Sequence, residues 1–229
     1  MSFDPSKVQA LCFDLDGTLA DSDDEFIARA AGLLQPWASR LGITDSRLRV
    51  RRLLHQLEGP KNYVYAWLDR LHLDELLAPL TEGWHRRRSR RESSKNLLIP
   101  GIEKMLVQLR ARYPLAIVTA RGHRNTLNYL ETNQIAGYFS VVATARTQRR
   151  AKPHPAPVLW AASQLGVNPS NCAMVGDTTL DMLAGKRAGA QTVGVLSGFG
   201  VREDLQRSGA DVILESCAQL PEILGMRTD

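Results

Sequence analysis

Cysteine is scarce in this chain. Cys12, Cys172 and Cys217 are spread over 229 residues, an odd number with no pair at zinc-ligand spacing, which argues against a disulfide framework or a structural zinc site. They read as buried apolar fillers in a reducing compartment. Long apolar runs are missing as well. No stretch approaches bilayer-spanning length, and the opening Met1-Ser-Phe-Asp-Pro-Ser-Lys carries no apolar signal region, so a cytoplasmic chain without membrane contact is expected. Positive charge in general excess is absent too. The net charge is +5, but Arg86, Arg87, Arg88, Arg90 and Arg91 supply five charges within six positions. Outside that cluster the chain is neutral, and general nucleic-acid affinity is not implied.

What remains is ordinary globular composition, 44% hydrophobic and 23% charged, long enough for one good core and a smaller appended domain. The organising stretch is Leu11-Cys12-Phe13-Asp14-Leu15-Asp16-Gly17-Thr18-Leu19. A compact apolar run from Val8 to Phe13 stops at a breaker, as a buried strand does. Asp14 sits at its carboxyl end. In an open parallel sheet that edge gathers loops and helix N-termini, so a carboxylate there is a nucleophile, a metal ligand or a helix cap. Gly17 lets backbone amides approach an anion, and Thr18 adds a hydroxyl.

Residues 20 to about 95 have a helical pattern throughout. Ser22 and Glu25 form a capping box, after which Phe26, Ala30, Leu33, Leu34, Trp37 and Leu41 recur at helical spacing, with a kink or end of the helix near Pro36. Further helical patterns follow around Leu48 to Leu57, Tyr63 to Leu71 and Asp74 to Arg91. Trp37, Trp67 and Trp84 read as packing of a small bundle.

From Asn96 onward helices and strands alternate. Ile102 to Leu109 marks a helix, Leu115 to Val118 a strand, Leu127 and Leu130 a helix, and Val141-Val142 a short strand. Val158 to Leu165 is helical, Cys172 to Val175 is a strand ending at Gly176-Asp177, and Thr192 to Leu196 and Asp211 to Leu214 are strands. A last helix lies near Leu220 to Leu224. This alternation predicts an α/β fold, a Rossmann-like parallel sheet with helices on both faces, with residues 1–19 and 96–229 as core and residues 20–95 as an inserted all-helical cap domain.

If the strands are parallel, one edge collects Asp14 and Asp16 after the first strand, Thr119 and Arg121 after the second, and Asp177 with Asp181 after the fourth. Lys152 lies in a loop before a helix. Taken singly, Asp181 reads as a helix-surface acid, Thr119 as a strand-end hydroxyl and Lys152 as a solvated loop residue. Together, in this order and spacing, the D-x-D-G-T-L of Asp14 to Leu19, the threonine after the second strand, the lysine before a helix and the G-D-T-x-x-D of Gly176 to Asp181 resemble the haloacid dehalogenase superfamily of phosphohydrolases. The resemblance is to the subgroup with a helical cap after the first motif, and Ala20-Asp21-Ser22 is similar to its phosphoglycolate-phosphatase-like branch.

That resemblance implies a magnesium-dependent phosphatase acting on a small phosphorylated metabolite. It implies Asp14 as nucleophile, forming an aspartyl-phosphate, and Asp16 as general acid and then general base. It implies Mg²⁺ on Asp14, the Asp16 carbonyl and Asp177, with Asp181 acting through water or on Lys152. Thr119 would bind phosphoryl oxygens with the amides of Gly17, Thr18 and Ala120, and Lys152 would offset charge. These roles agree with elementary electrostatics, since a dianionic ester repels a carboxylate unless cations neutralise it. Thr119-Ala120-Arg121 departs from the pattern of many relatives: Ala120 removes a side-chain contact and Arg121 adds a positive one. His154 lies near Lys152 in sequence. The run from Arg86 to Arg91 reads either as a solvated helix face or as a grip on a second anionic group of the substrate. Two other functions remain open, a phosphomutase of the same fold and, more remotely, a basic regulatory or nucleic-acid-binding module.

Overall fold

The computed structural model of the protein describes residues 3–21 and 98–226. The capping box at Ser22, the helical patterns that follow it, the three tryptophans and the arginine run lie outside the described residues.

Six short strands form one sheet: β1 (Ala10–Phe13), β2 (Leu115–Val118), β3 (Val141–Ala143), β4 (Cys172–Gly176), β5 (Gln191–Val195) and β6 (Val212–Leu214). Every pairing is parallel, and the order is β3-β2-β1-β4-β5-β6. The connecting helices are α1 (Ile102–Arg110), α2 (His123–Thr132), α3 (Ala156–Leu165), α4 (Thr179–Ala188), α5 (Arg202–Arg207) and α6 (Leu220–Ile223). The expected parallel α/β sheet is therefore present. Two helices, α4 and α5, were not legible as apolar repeats. α4 buries Met182, Ala184, Gly185 and Ala188, small groups that make a close contact without a bulky stripe.

The strands are buried on both faces, so alternation appears as size rather than polarity. Leu11, Phe13, Leu115, Ile117, Val175, Val193 and Val195 point to a bulky core with Ile102, Met105, Leu106 and Leu109 of α1. Ala10, Cys12, Ala116, Cys172 and Met174 point to the opposite layer, where Val158, Ala161, Ala162, Ala184 and Ala188 meet them. The small residues let α4 come close: a Cβ on Gly185 would lie 2.6 Å from Thr192 Cγ2. All three cysteines are buried thiols, as their scarcity suggested, and burial pushes Cys217 upward from its ordinary pKa.

The chain leaves this core beside the place where it returns. Ala20 bridges Leu98 in antiparallel fashion, and Ile99 N–H donates to the Leu19 carbonyl at 3.0 Å. Both ends of the intervening segment therefore meet just past the carboxyl end of β1. Among the described residues no helix is long and apolar enough to cross a membrane.

Candidate active site

A parallel sheet sends the carboxyl ends of its strands to one edge, and the polar strand ends meet there. β1 delivers Asp14, whose N–H still donates to the Val175 carbonyl at 2.9 Å, so the nucleophile candidate is held by the sheet itself. Its residue is 7% exposed. Lys152 Nζ lies 2.9 Å from Asp14 Oδ1 and 2.6 Å from Asp181 Oδ1. Burial pushes the Asp14 carboxyl up to about 7, and the Lys152 ammonium works against that push. For Lys152 itself, burial would lower the pKa, but the charges of Asp14 and Asp181 outweigh it and hold the ammonium above its ordinary value.

Asp181 has both oxygens occupied. Oδ1 accepts from Lys152, while Oδ2 accepts from Thr178 N–H at 3.1 Å and Thr178 Oγ1 at 2.6 Å, which caps the start of α4. Asp181 thus orients the lysine from a fixed helix terminus. Gly176 is required beneath it, since a Cβ there would overlap the Asp181 carboxylate. The lysine loop is pinned by Arg187, which donates to the Pro153 carbonyl at 2.8 Å. His154 is used locally, accepting from Ala156 N–H at Nδ1 and meeting Arg150 at Nε2, each at 3.1 Å.

Asp177 follows β4 and is fully buried. Its Oδ1 accepts from Thr18 Oγ1 at 3.2 Å and its Oδ2 from Phe199 N–H at 2.9 Å. The second bond comes from Ser197-Gly198-Phe199-Gly200, a loop after β5 that motif reading missed. Ser197 Oγ also donates to the Gly17 carbonyl at 2.8 Å. Gly17 has φ of 74°, a conformation that glycine adopts without a Cβ clash. A Cβ on Gly198 would overlap the Asp177 carboxylate and lie 2.7 Å from Gly17 Cα. The only sequence signal was two glycines directly after an apolar strand, where backbone must approach closely.

Asp16 stands apart from this buried group, its side chain 39% exposed. Arg121 grips it from both sides: Nε donates to Oδ2 at 3.1 Å and the second terminal nitrogen donates to Oδ1. Arg121 N–H donates to Thr119 Oγ1 at 3.1 Å, and Ala120 lies half-buried between them. Every site residue expected from the sequence therefore reaches this edge, but Arg121 is spent on Asp16 and Asp181 on Lys152.

Ligand oxygens of Asp14, Asp177 and Asp181 all lie within 4.8 Å of one another. Among the described residues four carboxylates face two cations here, an excess of acid. Hard oxygen donors and that excess fit a divalent cation such as magnesium. Asp181 is already engaged by the Lys152 ammonium, whereas Asp177 accepts only from neutral donors, so Asp14 and Asp177 are the better fitted of the three to hold it.

Fold and site together define an α/β enzyme built around a lysine-clamped aspartate at the carboxyl edge of its sheet. The chain belongs to the haloacid dehalogenase-like hydrolase family, whose model matches residues 11–195. It is 28% identical over 222 residues to the pyrophosphatase PpaX of Bacillus velezensis, covering 96% of this chain and 98% of that protein. It is 30% identical over 223 residues to a phosphoglycolate phosphatase of Chromobacterium violaceum, covering 95% and 96%. Among solved structures, a hydrolase from Pseudomonas syringae matches with a TM-score of 0.66 at 25% identity, covering 96% of this chain and all of that one.

Proposed function

We propose that the protein is a magnesium-dependent phosphatase that hydrolyses a small phosphomonoester through an aspartyl-phosphate, in the manner of a phosphoglycolate phosphatase. The observation that carries this reading is the buried Asp14–Lys152–Asp181 chain, with a second carboxylate, Asp16, two residues beyond the first. A structural salt bridge needs no such chain at a sheet edge, whereas a carboxylate nucleophile for a dianion does. The curated relatives, a phosphoglycolate phosphatase and a pyrophosphatase, support the same class of substrate.

In this scheme Asp14 attacks phosphorus while the bond from phosphorus to the ester oxygen breaks. Asp16 gives a proton to the departing oxygen. The ionised Asp16 then takes a proton from water, whose oxygen attacks phosphorus and breaks its bond to Asp14. Inorganic phosphate leaves, and both carboxyl groups return to their starting states. Lys152 keeps Asp14 oriented and offsets charge on the phosphoryl group. Thr119 accepts from Arg121 N–H and so keeps its hydroxyl proton for a phosphoryl oxygen. Asp14 and Asp177, with the Asp16 carbonyl, would hold magnesium, which would supply the charge neutralisation that lets a carboxylate approach a dianion. The Ala20–Leu98 bridge supports reading residues 20–95 as an insertion into a core of residues 1–19 and 96–229.

A panel of phosphomonoesters assayed for phosphate release with and without Mg²⁺, beside Asp14→Asn, tests the scheme. Metal-dependent release that falls about 10³-fold or more in the variant is expected. Release at the wild-type rate in Asp14→Asn refutes the nucleophile assignment.

A further inference from the structure

The proton carrier of the proposed scheme is not free. Both oxygens of Asp16 accept from Arg121, in the fork geometry that makes arginine–carboxylate pairs strong. A carboxylate so held is ionised and turned toward the guanidinium, so it must leave the fork and take up a proton from solvent before it can give one to a departing group. The pair must open during turnover.

Arg121 is built to let go and to stay in place. Its backbone is tied to Thr119 through its N–H and to Ala145 through its carbonyl, which accepts from Ala145 N–H at 3.3 Å. Its guanidinium lies 5.2 Å from the centre of the Tyr129 ring, a face that attracts a cation whether or not a carboxylate is bound. Tyr129 is itself 3% exposed on α2, so this platform is fixed by packing. The side chain of Arg121 is 17% exposed, and a partly desolvated guanidinium left without an anion is costly. A replacement anion is therefore needed when Asp16 turns to the ester oxygen.

Substrate geometry supplies one. In the proposed scheme the ester oxygen must come within hydrogen-bond distance of Asp16, whose partner in the free protein is Arg121. An oxyanion on the carbon next to the ester carbon, or on the second phosphorus of a diphosphate, falls within reach of the same guanidinium. Resting on the phosphatase reading above, we infer that Arg121 is the specificity-determining residue of this site. In the free protein it holds Asp16, and a substrate bearing a second oxyanion beside the scissile bond takes Asp16's place and releases the proton carrier. Selection for a second anion is thereby built into the core, independently of the arginine run from Arg86 to Arg91.

The test compares kcat and KM for 2-phosphoglycolate, pyrophosphate and ethyl phosphate, which lacks the second anion, in the wild type, Arg121→Gln and Arg121→Lys. The wild type is expected to prefer at least one of the first two over ethyl phosphate by on the order of 100-fold or more in kcat/KM, with part of the preference in kcat. In Arg121→Gln that ratio is expected to collapse to within about tenfold of unity, and in Arg121→Lys, which keeps the charge without the fork, to fall at least about tenfold. The lysine variant carries the test if the glutamine variant does not fold. Which ratio collapses identifies the oxyanion as carboxylate or phosphate. An unchanged ratio in both variants, or a wild type with no preference, overturns the role of Arg121 while leaving the phosphatase reading intact. Release from none of the three overturns the role of Arg121, and release from no member of the phosphomonoester panel in Mg²⁺ overturns the phosphatase reading as well.

Discussion

At the scale of single residues, the site depends on groups that touch nothing reactive. Asp177 is aligned by Thr18 on one side and by the Phe199 amide on the other, and both contacts require the chain to pass close to it. Gly198 makes that passage possible. Gly198→Ala puts a methyl into the Asp177 carboxylate and against Gly17 Cα, and overpacking of this kind costs about 1–3 kcal/mol. The expected outcome is a lowered melting temperature together with at least about tenfold weaker magnesium binding by calorimetry, because second contacts to a ligand set metal affinity. Wild-type metal affinity in Gly198→Ala would show that Asp177 is not positioned by this loop. Asp14, Asp16, Thr119 and Asp177 were legible because each lies just past a short apolar strand, and Lys152 and Asp181 by their spacing from helix starts, but their partners were not. Arg121 meets Asp16 across 105 positions and Ser197 meets Gly17 across 180, and packing, not local pattern, chooses such pairs.

At the scale of elements, the sheet edge is kept in register by polar ties as well as by apolar contact. Asp211, at the entrance to β6, accepts from Lys186 Nζ of α4 at 2.6 Å and from Thr192 N–H of β5 at 2.9 Å. One carboxylate thus joins two strands and a helix. Burial alone would raise the Asp211 carboxyl, but the bonds from Lys186 and Thr192 outweigh it and hold it below its ordinary 3.8. A carboxyl lowered in the folded state adds stability that is complete above its unfolded value and is lost as pH falls through the folded one. Asp211→Asn is expected to cost about 1–2 kcal/mol at pH 7 by urea unfolding, allowing for the partial exposure of Lys186. The gap should close below about pH 3.8, and a gap that persists undiminished in acid would assign the loss to packing. Strands and the other helices were legible from their bulky apolar residues. α4 and α5 were not, because α4 packs with alanine and glycine and α5 buries one leucine, Leu205.

At the scale of the whole molecule, the core pairs a well-buried apolar frame with a site that carries uncompensated charge. The strand order places β1 and β4 side by side at the middle of the sheet, which brings Asp14 and Asp177 together and makes their repulsion a cost of folding. Burial pushes the Asp14 carboxyl up to about 7, the Lys152 charge works against that push, and the Asp181 and Asp16 charges add to it. A divalent cation that binds the folded chain and not the unfolded one offsets the repulsion and draws the folding equilibrium toward the native state. At a concentration about 100 times its Kd such an ion contributes about 2.7 kcal/mol, which for a chain of this length raises the melting temperature by about 5–10 °C. Calorimetric scans in Mg²⁺, against potassium chloride of matched ionic strength, should show this rise in the wild type and little of it in Asp177→Asn. The variant removes one carboxylate charge but also an acceptor for the Thr18 or Phe199 bond, so the size of its response to Mg²⁺, not its own melting temperature, is the readout. An equal rise in potassium chloride, or an undiminished rise in Asp177→Asn, would place the ion elsewhere and remove the metal from the proposed chemistry of Asp14.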